Sequence, residues 1–351
     1  MNKRTAKQRA TSKSGGKTVA SRPLVATLIL SLGLIALLFS MAASISFGAA
    51  EIDIHSVWTS ITQFDATLTA HQIIQEIRMP RAIAAALVGA FLAISGAILQ
   101  GMTRNPLAAP STMGITDGAA FALAIALAFY PGITSMGLIA WSFIGAAIGA
   151  SLVFMVGSFS KGGLTPVKLA LAGAAVGALL RSISATIAIR FDVAQDMSFW
   201  YAGSVAGAQW QNVRLLIPIA AIGLILAFIL SRSITVLNLG EDVAKGLGQQ
   251  TVYVKVLAAV LIVLLTGAAV SIAGTVGFIG LIIPHLTRFL VGVDYRLIVP
   301  CAGILGALLL VLADLGARMI NPPFETPVGI ITALIGVPFF LYLARREGKG
   351  L

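Results

Sequence analysis

Apolar runs long enough to cross a lipid bilayer recur along nearly the whole chain, separated by short polar links. A helix rising 1.5 Å per residue needs about 20 apolar residues to span a hydrocarbon core of about 30 Å. On that template ten helices are expected, over residues 24–46, 82–101, 115–130, 135–157, 167–189, 213–231, 252–272, 276–291, 297–316 and 327–344. The third and eighth are short for a bilayer and need neighbours to cover their ends. Small residues crowd the runs, as in AAALVGAFLAISGA, WSFIGAAIGA and LALAGAAVGALL. Gly145–Gly149 and Gly173–Gly177 have the G-x-x-x-G spacing that lets helix backbones approach closely.

One interruption has a helical pattern of its own. In LNLGEDVAKGLGQQ, residues 237–250, Gly240 breaks the preceding segment. Glu241 and Asp242 then fall in a first turn, where carboxylates complement the positive end of the helix dipole. Glu241 and Lys245 are four residues apart, as are Val243 and Leu247, so the element has a charged pair and a small apolar face. Gly246 and Gly248 end it. Such a helix is too short to be stable alone and needs a docking partner. A second polar stretch, 47–81, contains IHSVWTSITQF, which has the pattern of a short interfacial helix.

Composition agrees with this layout. Of 351 residues, 58% are hydrophobic and 11% charged, and the mean hydropathy is +0.96. A soluble fold of this length would need far more polar surface. The expectation is an all-α polytopic membrane protein, with residues 24–346 as one transmembrane domain. The net charge of +11 raises the question of nucleic acid, but its distribution argues against it. Residues 1–23 hold Lys3, Arg4, Lys7, Arg9, Lys13, Lys17 and Arg22 and no acid. That is a basic, disordered tail lying beside anionic membrane lipid. The apolar run after it exceeds a signal-peptide core, so it reads as an uncleaved first span. With the N-terminus inside, Lys and Arg are concentrated in the inside links, among them Arg104, Lys161, Lys168, Arg232, Lys245, Lys255, Arg288 and Arg296. An even span count also puts the C-terminal tail, 347–351, inside, and residues 237–250 become cytoplasmic.

The chain offers no chemistry of its own. GGKT at 15–18 looks like the end of a phosphate-binding loop, but Thr11 stands where that motif requires glycine. Cys301 lies alone in an apolar run, and His55, His71 and His285 are scattered without metal-ligand spacing. No catalytic set, metal site or cofactor is expected. Ionisable residues are sparse within the spans: Asp117, Arg181, and the pair Asp314 and Arg318 four residues apart. An ion-coupled carrier working alone would be expected to bury more acids, so the energy source is expected in another subunit.

Two further stretches carry spacing. Arg78 and Arg81 flank Pro80, which suits a first helical turn, and at three residues apart they share a face suited to an acidic partner. SIAGTVGFIGLIIPHLTRFLVG, residues 271–292, passes from a glycine-rich bend into a short helix carrying His285, a gate residue or a structural histidine. Taken in order, RMPR with VGAFLAISGAILQ, TRNPLAAP, LALAG, FWYAGSVAGAQW, LNLGEDVAKGLG, GTVGFIGLIIPHLTR, LLLVLADLGAR and ETPVGIITALIGVPFFLYL resemble the iron-chelate (ferric siderophore), haem and vitamin B12 permease family, the transmembrane subunits of binding-protein-dependent ABC importers. The resemblance covers residues 70–346.

That resemblance implies a ten-helix subunit of the bacterial plasma membrane. It pairs with a second permease subunit, as a homodimer or heterodimer, and with two ATP-binding cassette subunits that hydrolyse the ATP. An extracytoplasmic binding (lipo)protein delivers the cargo. Gly240, Glu241, Asp242, Ala244, Leu247 and Gly248 match the family's coupling helices, which seat in the ATPase. Arg78, Arg81 and Arg318 match arginines that grip acidic residues of the binding protein. The family's path corresponds to residues 165–189, 197–203 and 274–288, with Thr165, Pro166 and His285 near gates. The implied cargo is a ferric siderophore; haem and cobalamin stay open as alternatives, as does an ion-coupled secondary transporter.

Overall fold

The computed structural model describes residues 21–48, 52–158, 166–322 and 324–347. The basic tail up to residue 20, the GGKT segment, Thr165 and residues 348–351 lie outside them. All regular structure among the described residues is helical. In chain order the helices are α1 (Pro23–Ser46), α2 (Ile54–Thr62), α3 (Thr69–Thr103), α4 (Ile115–Phe129), α5 (Ser135–Ser158), α6 (Pro166–Arg190), α7 (Ala194–Ala202), α8 (Trp210–Asn238), α9 (Glu241–Gly246), α10 (Thr251–Ala273), α11 (Ile279–Val291), α12 (Tyr295–Ile320) and α13 (Val328–Glu347). Seven of these are long and apolar enough to cross a membrane: α1, α3, α5, α6, α8, α10 and α12. Helices α4, α11 and α13 are shorter apolar helices at three more of the expected positions.

Helix α3 is the centre of the bundle and packs on α8, α10, α11 and α12. Small residues make these contacts close. A Cβ on Gly89 would collide with the carbonyl oxygen of Gly306 in α12, and one on Gly96 with that of Gly280 in α11. The same device joins α4 to α5, where Gly118 meets Gly145 and Gly149. The second glycine pair, Gly173 and Gly177, faces the Thr112 carbonyl and the Asp117 carboxylate instead of a parallel helix. Helix α1 packs mainly on α12 and is the least buried of the long helices.

Three local departures from the sequence pattern have physical causes. Pro80 lies in the first turn of the α-helical segment Met79–Thr103, as expected, but helix already precedes it: residues 69–72 are helical and Ile73–Arg78 form a π-helical stretch. A proline ring crowds the carbonyl four residues back and supplies no N–H, and the widened turn accommodates both. Helix α8 runs seven residues beyond the expected end at 231, because Ser231 and Ile234 remain buried against the bundle. The two short helices α4 and α11 are short because non-helical backbone leads into them. The 3₁₀ turn Pro110–Met113 precedes α4, its proline ring beside Gly280, and residues 274–277 precede α11. Irregular backbone at membrane depth must be covered by protein or line a wet passage. Here Ser204 donates to the Ala273 carbonyl at 2.9 Å and Thr275 N–H to that of Trp200 at 3.3 Å, tying the α7–α8 link to the α10–α11 link.

Candidate functional site

Charged residues gather at three levels. At the bundle end that carries α2, Arg78, Arg81 and Arg318 converge with Asp314 and Glu325. Arg78 donates from Nη1 to the carbonyls of Ile45 and Ser46 at 2.6 and 2.8 Å. Arg318 donates from Nη2 to the Ser44 carbonyl and hydroxyl at 3.0 and 2.6 Å. Both therefore satisfy the last carbonyls of α1, where cations also complement the helix dipole. Arg81 grips Asp314 through Nε and Nη2, the closest contact being 2.9 Å, and reaches Glu325 with Nη1 at 2.6 Å. Asp314 also lies 3.4 Å from Arg318, the i,i+4 pairing its spacing allows. All three arginines are buried, as is Asp314, while the Glu325 side chain is 48% exposed. The shared face expected of Arg78 and Arg81 is thus turned into the chain, and Arg81 finds its acidic partners there.

Between α4 and α6, Arg181 Nη1 meets Asp117 Oδ1 at 2.7 Å. Asp117 is on the first turn of α4, near the start of the third span as its position in the sequence leads one to expect. Gly177, one helical turn before Arg181, leaves the space the carboxylate fills. The Asp117 side chain is 8% exposed and that of Arg181 53%.

At the opposite end lies the short helix. Gly240 adopts φ +130°, a backbone conformation that side chains strain, and α9 follows over six residues. It is one helix, not two, and Leu237 and Asn238 belong to the end of α8. Glu241 accepts from Lys255 Nζ at 2.6 Å and lies 3.2 Å from Lys245 Nζ. The Lys255 hydrogen bond, with help from Lys245, holds the Glu241 carboxyl below its usual range. Ala244 is buried against the bundle, whereas Val243 and Leu247 point outward, beside exposed Leu239, Val252 and Tyr253. Gly248, at φ +80°, closes the element. The apolar face that the sequence assigns to this helix is therefore uncovered within the chain.

Of the remaining expected residues, His285 is half-buried and meets the Phe339 ring of α13 edge-on at 6.0 Å. Pro166 opens α6. Cys301 is buried, its thiol 3.7 Å from the Ala26 carbonyl. Arg288 was expected only as an inside cation, yet it donates to Gln100 Oε1 at 3.1 Å and to the Tyr295 hydroxyl at 3.2 Å.

The FecCD transport family model matches residues 35–346. The chain belongs to that family. Among FecCD relatives, the iron(3+)-hydroxamate import system permease protein FhuB of Bacillus subtilis is 62% identical over 331 residues, 94% of this chain and 86% of that protein. The iron-uptake system permease protein FeuB of the same organism is 46% identical over 89% of this chain and 94% of its own length. The cobalamin import system permease protein BtuC of Halobacterium salinarum is 37% identical over 95% and 93%. A solved metal-chelate-type ABC transporter in an inward-facing conformation superposes with a TM-score of 0.80 at 31% identity, covering 91% of this chain and 99% of the other. This chain is thus a multi-pass membrane permease of the FecCD family.

Proposed function

We propose that this FecCD permease imports a ferric hydroxamate siderophore, as one of two permease subunits in an ATP-driven, binding-protein-dependent importer of the plasma membrane. The observation that carries the cargo is the 62% identity to an iron(3+)-hydroxamate permease across 94% of the chain. Ten helices cross the bilayer, residues 24–346 act as one domain, and both tails are cytoplasmic. The chain hydrolyses nothing; ATP is bound and cleaved by two separate cassette subunits.

In this reading α9 is the coupling helix. Gly240, Glu241, Asp242, Ala244, Leu247 and Gly248 fix its shape, and Val243 and Leu247 seat in the ATPase. A ligand or motor shifts a conformational equilibrium only through contacts that differ between its states. The Lys255 clasp on Glu241 carries movement of α9 into α10. At the other face the Arg78, Arg81 and Arg318 cluster docks acidic residues of the binding protein. Three guanidinium groups against two carboxylates leave the cluster one positive charge in excess, and Glu325 is the exposed partner an incoming acid would replace. Thr165, Pro166 and His285 belong to the passage and its gates.

The test is uptake. Membrane vesicles holding the chain, its partner permease and the cassette subunits are given binding protein loaded with a radiolabelled ferric hydroxamate, with cobalamin and haem as competitors. ATP-dependent accumulation of iron that neither competitor suppresses is expected. Cobalamin is the second reading, favoured by the 37% identical relative; accumulation of cobalamin and not of iron would establish it instead.

A further inference from the structure

A charge in the middle of a membrane helix is expensive unless it is paired or faces water. Asp117 stands twelve residues before the end of α4 and Arg181 nine before the end of α6, about 18 and 14 Å in at 1.5 Å per residue. Both distances reach about the middle of a bilayer about 30 Å thick. The pair is asymmetric. Asp117 is covered on all sides, with Gly177 beneath it, whereas more than half of the Arg181 side chain is open. One guanidinium nitrogen is spent on Asp117, and among the described residues the side chain makes no other hydrogen bond. Around Arg181 the helix face is cut back: Ala174, Ala178 and Ala185, at helical spacing on either side, are exposed and short. Tyr201 of α7 is itself partly exposed. It adjoins the non-helical link that holds Thr275, whose hydroxyl donates to the Tyr201 carbonyl.

Asp117 thus lets a cation stand at mid-depth without leaving a full unbalanced charge there, and the arginine presents a planar fork of free N–H donors to the open side. We propose that Arg181, positioned by Asp117, is a cargo-contact site half-way along the passage that receives the anionic, oxygen-rich face of a metal chelate. Hydroxamate and carboxylate oxygens match that fork; an uncharged, apolar cargo does not. The proposal rests on the importer reading and adds a charge preference to it.

The experiment compares initial rates of ATP-driven uptake for two ferric tris-hydroxamates, one neutral and one bearing a free carboxylate, in the full importer. The variants are Arg181→Lys, and Arg181→Gln paired with Asp117→Asn so that no buried carboxylate is stranded. The readout is the ratio of anionic to neutral uptake, which a merely structural role would leave constant because both cargoes need the same fold. In the paired variant the ratio is expected to fall about ten-fold, the equivalent of one lost charge-assisted contact. Arg181→Lys, which keeps the ion pair, is expected to fall by less, and its result stands even if the paired variant does not insert. A ratio unchanged in Arg181→Lys and in any inserted paired variant overturns the proposal, as does loss of the second permease subunit from the purified complex with an unchanged ratio, which would make Arg181 a subunit contact. Failure of the unsubstituted importer to take up either chelate would instead defeat the importer reading.

Discussion

At the scale of single residues, burial separates charges that hold the fold from charges available for exchange. Asp314 is 1% exposed and serves two arginines. Removing one member of a buried ionic set strands the others, at a cost of about 3–5 kcal/mol. Asp314→Asn is therefore expected to lower the thermal midpoint of the purified protein markedly, read by the loss of monodispersity on heating. Glu325→Gln, at a half-exposed position, is expected to change stability by less than about 1 kcal/mol. The same variant frees Arg81 Nη1 and should tighten binding-protein docking several-fold, measured by surface binding at low salt; weaker docking would show that Glu325 helps instead of competing. Glu241 gives a pH prediction. Its carboxyl is held below the ordinary value of about 4.3 by Lys255. A depressed folded-state value means the clasp contributes fully above that ordinary value and is lost as pH falls through the lower, folded one. Side-chain carbon shifts of Glu241 should accordingly stay constant around neutrality and move only in acid.

At the scale of elements, hydrophobic length located the helices, and α1, α5, α6 and α10 lie within a few residues of where that pattern put them. The pattern reports which residues avoid water and not which neighbours they meet. It therefore missed the continuation of α8 to Asn238, the π-helical stretch before Pro80 and the 3₁₀ turn that leads into α4. The arginine spacing was legible, but not that Arg81 turns towards Asp314 across 233 positions of sequence. Asp117 and Arg181 were both visible as rare charges, but not that the packing of α4 on α6 pairs them across 64 positions of sequence. The short helix α9 was the most legible element, because its glycines, its i,i+4 ion pair and its apolar face are all local. Val243→Ser with Leu247→Ser should leave insertion and thermal stability unaltered, since both side chains are exposed, yet detach the cassette subunits on purification. Gly96→Ala is the converse case. Its methyl group would enter the Gly280 carbonyl, and overpacking of this kind costs about 1–3 kcal/mol, visible as lower yield and earlier thermal aggregation.

At the scale of the whole molecule, the three charged levels form one axis. Arginines cap α1 and hold α12 at one end, the Asp117–Arg181 pair joins α4 to α6, and α9 is tied to α10 at the other end with Val243 and Leu247 uncovered. Nothing along that axis performs chemistry in this account; each level meets another body, whether a carrier of cargo, the cargo or a motor. The claim on which the rest depends is that force enters through α9 from ATP hydrolysed elsewhere. It is tested most directly by following radiolabelled ferric hydroxamate into sealed vesicles that contain the complete importer, with and without ATP, for the unsubstituted chain and for Val243→Ser with Leu247→Ser. The account predicts accumulation that requires ATP and disappears in the variant while the binding protein still docks. Accumulation driven by an ion gradient in vesicles lacking the cassette subunits, or ATP-driven accumulation untouched by the α9 substitutions, would contradict it.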